Sequence, residues 1–339
     1  MIGTRRKDGT SREDETTAVI GASVSGLMGS PETGRYLTLD YGVARLFESR
    51  KAQDSDLDQS LYLAGHLAFG KLKLGLGIDF ASLSGFNRDA GDQVQRDYLT
   101  VALTSTLQLT PRTSIDWDIA TPNGRYPSGN SFGSTVGDAS GFSSTNFVNY
   151  EYSAKSTVGL GFTTGFLEIE DQETQKFQRL LARVSSTPTP FLSYSATVGV
   201  EFRDTGHKNV THPILSLSAV WTPRERTVVT LTGEQRIQNS VGSANSNFLS
   251  STFVLSVTQQ LGNRFRASLS GGFENAKYES IGIGISPNRR ERSYLGQFSI
   301  STTLYDRVDL SASVSYVRTI SNDSTSYTAQ CALQASLLF

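Results

Sequence analysis

The side chains able to do chemistry in this sequence are charges that return at every second position. The basic ones are Lys71, Lys73, Arg179, Arg183, Arg203, Arg236, Arg264, Arg266 and Arg307. The acidic ones are Asp40, Asp79, Asp116, Asp118, Glu201, Glu234, Glu274 and Asp309. Apolar residues stand between them, so in extended chain the charges share one face. Two readings follow. Such a face can line a hydrated conduit and tune which ions pass, or the charges can pair across strands and stiffen or plug the wall. The near balance of signs argues against strong anion or cation selectivity. In hydrocarbon each charge would cost roughly 2–4 kcal/mol at the midplane, least for the acids, so the shared register points to a watery interior.

Catalytic readings are weaker. Asp116 and Asp118 could resemble a glycosidase carboxylate pair, but those enzymes hold two carboxyls across a bond inside a pocket. Of the three histidines, His66 stands alone on the polar register, while His207 and His212 are expected in a loop. No Ser, His and acid fall into a hydrolase arrangement, and no spacing suits a metal. The one cysteine, Cys331, sits on the apolar register as a small hydrophobe and makes no internal disulfide. A net charge of -1 gives no nucleic-acid signal. The expectation is a protein that is not an enzyme, with no cofactor, no metal and no nucleic-acid partner.

The elements that must position these charges are strands. Only 37% of the 339 residues are hydrophobic, and no run of 18 apolar residues could form a membrane helix. Alternation nevertheless recurs throughout. Leu72, Leu74, Leu76, Ile78 and Phe80 oppose Lys73, Gly75, Gly77 and Asp79; Val158, Leu160, Phe162, Thr164 and Phe166 repeat the pattern. Seventeen such segments are legible between Thr17 and Phe339, many ten residues or longer, as a tilted strand crossing a bilayer requires. Turns of a few residues alternate with longer polar loops, the longest spanning 121–143, which could fold inward as a constriction or stay outside as a flexible external loop. Short turns on one side and long loops on the other mark outer-membrane barrels, and closure satisfies every backbone group in lipid. The expected fold is therefore all-β, a transmembrane antiparallel up-and-down β-barrel of about 16–18 strands. Residues 1–15 read as a disordered N-terminal segment, and 16–339 as a single barrel. Tyr36, Tyr41, Tyr150, Tyr152, Tyr194, Trp221, Tyr294, Tyr316 and Tyr327 are expected to include girdle residues at the membrane–water interfaces.

The last fourteen residues, SYTAQCALQASLLF, alternate cleanly and stop on Phe339. This ending resembles the C-terminal signal of bacterial outer-membrane barrels, which implies recognition of Phe339 by the barrel-insertion machinery and residence in outer-membrane lipid. The N-terminal layout carries a second resemblance. A first strand, then LTLDYGVARLF, a charged loop and a tight KLKLGLG hairpin look like the "putative β-barrel porin 2" type of outer-membrane protein. That resemblance implies a porin-like channel for hydrophilic solutes, or the outer-membrane component of exopolysaccharide export working with a periplasmic export protein. A structural or adhesive barrel with a plugged lumen is the alternative. The opening MIGTRRKDGTSREDE lacks the apolar core of a signal peptide, so a mature form with an added Met, or a truncated gene, is expected.

Overall fold

The computed structural model describes residues 2–8, 11–48, 57–87, 92–126, 138–170, 172–239, 246–280, 289–304, 308–322 and 325–338. Among them lie eighteen strands: β1 Ile2–Asp8, β2 Ser11–Ser30, β3 Arg35–Glu48, β4 Leu57–Phe69, β5 Leu72–Asn87, β6 Asp92–Thr110, β7 Thr113–Arg125, β8 Ala139–Ser153 and β9 Ser156–Ile169. The chain continues through β10 Gln175–Thr189, β11 Leu192–Asp204, β12 Asn209–Arg224, β13 Thr227–Asn239, β14 Ser246–Leu261, β15 Phe265–Ser280, β16 Arg290–Leu304, β17 Val308–Ser321 and β18 Thr325–Leu338. Consecutive strands pair antiparallel, so topology is up-and-down.

The sheet returns to its start. β18 pairs with β1 from Ile2↔Gln330 to Lys7↔Thr325, and β1 pairs with β2 from Ile2↔Thr17 to Asp8↔Ser11. Beyond the short β1, β18 meets β2 directly and in parallel, at Leu337↔Val24 and Leu338↔Ser25. The seventeen segments legible in the sequence are β2 to β18. Residues 1–15, expected without structure, instead hold β1 and the start of β2. Their charges hide the strand from a hydrophobic period; backbone pairing with β2 and β18 needs none. The irregular stretch expected over 121–143 is also shorter. β7 runs on to Arg125 and β8 begins at Ala139, joined by Asn123↔Ser140 and Gly124↔Ala139. Most of the remaining loop lies outside the described residues.

Two- and three-residue turns at 70–71, 111–112, 154–155, 190–191, 225–226 and 262–264 close one end, here the inner end. Gly70 and Gly262 take positive φ there (57° and 64°), which only Gly adopts without cost. The opposite, outer end carries the longer connections. Outward faces bear a continuous apolar band that includes Leu76, Trp117, Leu160, Phe202, Leu269 and Val314. Such a band is unstable in water and stable in lipid.

One place interrupts the ladder. β11 and β12 stay paired from Leu192↔Trp221 to Asp204↔Asn209. β12 and β13 stop at Leu215↔Gln235, although β13 pairs with β14 as far as Asn239↔Asn247. Pro213 sits just past the break; having no N–H, it cannot donate to a ladder and belongs at a strand edge. The outer wall thus divides into a β10–β12 wing and a β13–β15 wing.

Candidate functional site

The inner face, opposite the apolar band, holds most of the buried side chains. They include Phe147, Asn149 and Thr163 and, toward the outer end of β10 to β16, Gln175, Phe177, Glu201, Arg203, Phe248, Ser250, Tyr278 and Ser293. This crowding needs room, and β9 provides it. Its inward positions 159, 161 and 165 are all glycine. A Cβ at Gly161 would come within 2.5 Å of the Phe147 ring, and one at Gly165 within 2.5 Å of the Phe177 ring. At Gly159 it would strike Asn149 and Arg183. The glycines form a trough into which the neighbouring strands lay their rings.

Two charge networks stand on that trough. In the first, the Arg183 guanidinium donates to the Asp116 carboxylate and to Asn149 Oδ1, at 2.9 Å from its Nε. Asn149 donates from Nδ2 to Asp116 Oδ2 at 3.0 Å, and Arg183 lies over the Phe147 ring at 4.1 Å. In the second, Glu201 is completely buried and accepts from two arginines. Arg179 Nε donates at 2.7 Å and Arg203 Nε at 2.6 Å. Both guanidiniums face the Phe177 ring, at 4.7 and 5.3 Å, and Arg203 Nη1 also donates to Gln175 Oε1 at 3.2 Å. Arginine suits such a place because its weakly hydrated planar head stacks on rings while its edge pairs with carboxylates.

The second network extends across the divided wall. Asn247 on β14 and Gln175 on β10 bond each other twice, at 3.0 and 3.4 Å. His212 Nε2 on β12 lies 3.2 Å from Glu279 Oε2 on β15, whose other oxygen accepts from Lys277 Nζ at 3.1 Å. Neither β10 and β14 nor β12 and β15 are sheet neighbours. The outer ends of β14 and β15 therefore lie in front of the β10–β12 wing and narrow the lumen there. His212, expected in a loop, is a strand residue in register with Glu201.

Elsewhere the inner wall is sparse. Lys73 and Asp79 on β5 are exposed, alternate with Gly75 and Gly77, and join no ion pair among the described residues. Tyr36, expected at the girdle, faces inward and stacks on His66 at 4.5 Å. Arg266 is exposed, and Glu234 with Arg236 forms a loose pair at 3.5 Å, each about half exposed. Glu274 accepts from Ser250 at 3.0 Å, and Asp309 from Thr303 at 2.5 Å. Asp118 follows Asp116 on β7. Lys71 and Arg264 do not line the wall: both sit in inner-end turns, where the chain reverses and the alternation ends. Arg307 and Phe339 lie outside the described residues. Asn149, Gln175, Asn247, His212 and Glu279 were missed by a search for alternating charges, because amides carry no charge and the wall's division is not periodic. The sequence signal for the crowded sector was the glycine run on the polar register of β9.

Comparison with known proteins agrees with this architecture. Residues 196–338 match the family described as "Putative beta-barrel porin 2". The match falls in the C-terminal part rather than in the N-terminal layout that carried the resemblance. No curated protein is significantly similar in sequence. Among solved structures, the outer membrane protein opdK of Pseudomonas aeruginosa superposes with a TM-score of 0.50 at 9% identity, covering 98% of this chain and 95% of that one. The apoprotein form of the FrpB iron transporter of Neisseria meningitidis gives a TM-score of 0.50 at 9% identity over 94% of this chain. This chain spans 61% of that transporter's length. The chain is a bacterial outer-membrane β-barrel with a porin-like fold.

Proposed function

We propose that this barrel is a channel for hydrophilic solutes that works as a conduit and not as a catalyst. The observation that carries the reading is the sparse sector of the inner wall. Lys73 and Asp79 stand exposed among glycines with no ion-pair partner among the described residues, which is stable only where water fills the space beside them. The carboxylate best placed for chemistry, Asp116, is engaged by Arg183 and Asn149. Opposed charges and modest field suit a neutral or weakly charged polar solute. With the likeness of residues 196–338 to the porin 2 type, a secreted polysaccharide met by a periplasmic export protein is the substrate class we favour.

A second reading has its own observation. The Gln175–Asn247 and His212–Glu279 bridges hold the β13–β15 wing across the lumen, as a plugged structural or adhesive barrel would require. Single-channel conductance in a planar bilayer separates the two. Steady openings with weak ion selectivity support the conduit, and polymer exclusion then sizes the solute. A correctly inserted but silent barrel that conducts once Asn247→Ala and Glu279→Ala are combined supports the plug. Silence of both forms removes the diffusion channel.

A further inference from the structure

We propose that the outward face of β16 and β17, at the outer end, binds a phosphate-bearing headgroup of an outer-leaflet lipid. Along β16 the outer end alternates sharply: Arg290, Arg292 and Tyr294 are exposed, while Glu291 and Ser293 between them are buried. On β17 the exposed series is Val314, Tyr316 and Arg318, with Thr319 buried and bonded inward to Ser293 at 2.9 Å. The inward and outward sides are therefore unambiguous here, and all three arginines point out.

Their spacing comes from the ladder. Arg318 is in register with Tyr294, and Arg292 with Ile320. Arg292 and Arg318 are diagonal neighbours roughly 7–8 Å apart, and Arg290 lies one same-face step, about 7 Å, farther along β16. A tyrosine layer sits beside and below them: Tyr294, Tyr316 and Tyr327, with Arg318 over the Tyr327 ring at 5.5 Å and Tyr316 6.3 Å from it. Phe273 stands level with Tyr294, and below them come Phe298 and Val314, all exposed. Tyrosines settle at the membrane–water boundary, which sets the arginines at headgroup height.

Among the described residues no carboxylate on this face pairs with them. No ion pair joins Arg290, Arg292 or Arg318 to a carboxylate among the described residues, whereas the adjacent Lys277 is already engaged by Glu279. The acid nearest in sequence, Glu291, turns inward, where it pairs with Arg289 at 2.6 Å. Three forked donors on a surface that meets lipid complement a phosphate bound in bidentate fashion. Basic residues at the headgroup layer attract anionic lipid in the same way.

The test uses the full chain refolded into neutral-detergent micelles, its folding checked by the faster gel migration of the unheated sample relative to the heated one. Fluorescent bis-phosphorylated lipid A is titrated in, and dephosphorylated lipid A serves as the comparison. The expected result is saturable binding that needs the phosphates. Binding should weaken at least about tenfold in the triple variant R290Q/R292Q/R318Q. It should hold in K155Q/R224Q/R226Q, which removes three cations from the inner end. Should the triple variant fail to fold, R292E alone carries the test. Equal binding by the variant and the parent overturns the site. So does equal binding of the dephosphorylated lipid. Release of the bound lipid by millimolar inorganic phosphate would overturn the lipid as the occupant.

Discussion

The inner wall is built in two ways. Along β7 to β11 it is crowded: Phe147, Phe177 and Arg183 fill the space in front of Gly159, Gly161 and Gly165, Arg179 and Arg203 lie against Phe177 with Glu201 between them, and every one of those charges is paired. Along β4 to β6 it is sparser: Tyr62 and His66 are the large inward side chains of β4, while Ala64, Gly75, Gly77, Ala102 and Thr104 leave Lys73 and Asp79 exposed. Both sectors carry the same polar–apolar alternation. What separates them is side-chain volume on the inward register and whether a ring lies beneath each cation. The lesson is that alternation sets which side faces water, while small and large residues on that side decide whether the water remains.

The sharpest way to break this contrast is to remove its most buried charge. Glu201→Ala strips the carboxylate from Arg203, 4% exposed, and from Arg179. Taking the carboxylate from the buried Arg203 should cost about 3–5 kcal/mol. Asp79→Ala, on the sparser side, should stay within about 0.5 kcal/mol. Urea unfolding of the barrel in lipid vesicles, followed by tryptophan fluorescence, measures both. Equal losses would mean that the two sectors are held in the same manner.

Gly161→Val tests the trough next. The added side chain must displace the Phe147 ring, an overpacking cost of about 1–3 kcal/mol. Gly77→Ala meets nothing closer than the Ala102 carbonyl oxygen at 4.0 Å and should be near neutral. Combining Gly161→Val with Phe147→Ala should recover part of the loss, because the two positions share one space. Strict additivity in that cycle would show that the ring does not occupy the trough.

Legibility of the sequence divides along the same line. The strands β2 to β18 were readable because lipid on one side and water on the other impose a period of two on each. β1 was not, since Arg5, Arg6 and Lys7 show no such period and the strand is fixed by backbone partners. The charge register was readable for Asp116, Arg179, Arg183, Glu201 and Arg203, but their partners were not. Which carboxylate meets which guanidinium depends on strand stagger, and Arg183 reaches Asp116 across two intervening strands. The bridges between the wings were furthest from view. Gln175–Asn247 joins residues 72 apart in the chain, and only the break beyond the Leu215↔Gln235 pair, over 209–214, brings them together. Lys71 and Arg264 were misplaced for a plainer reason: alternation continues on paper into a turn where the chain no longer has faces.

The smallest expected effect on stability sharpens the contrast most on the functional side. Lys73→Glu replaces one exposed, unpaired cation on the sparser wall and should leave stability within about 0.5 kcal/mol. Reversal potentials in a salt gradient should nonetheless move toward cation preference, since a charge facing the aqueous path acts on passing ions directly. Arg183→Gln should do the opposite. It removes a cation whose field is already cancelled by Asp116 and whose head lies on Phe147, so stability falls while selectivity changes less than at Lys73. A larger selectivity change at Arg183 than at Lys73 would place the ion path along the crowded sector, and the sparser wall would then face a space that ions do not use.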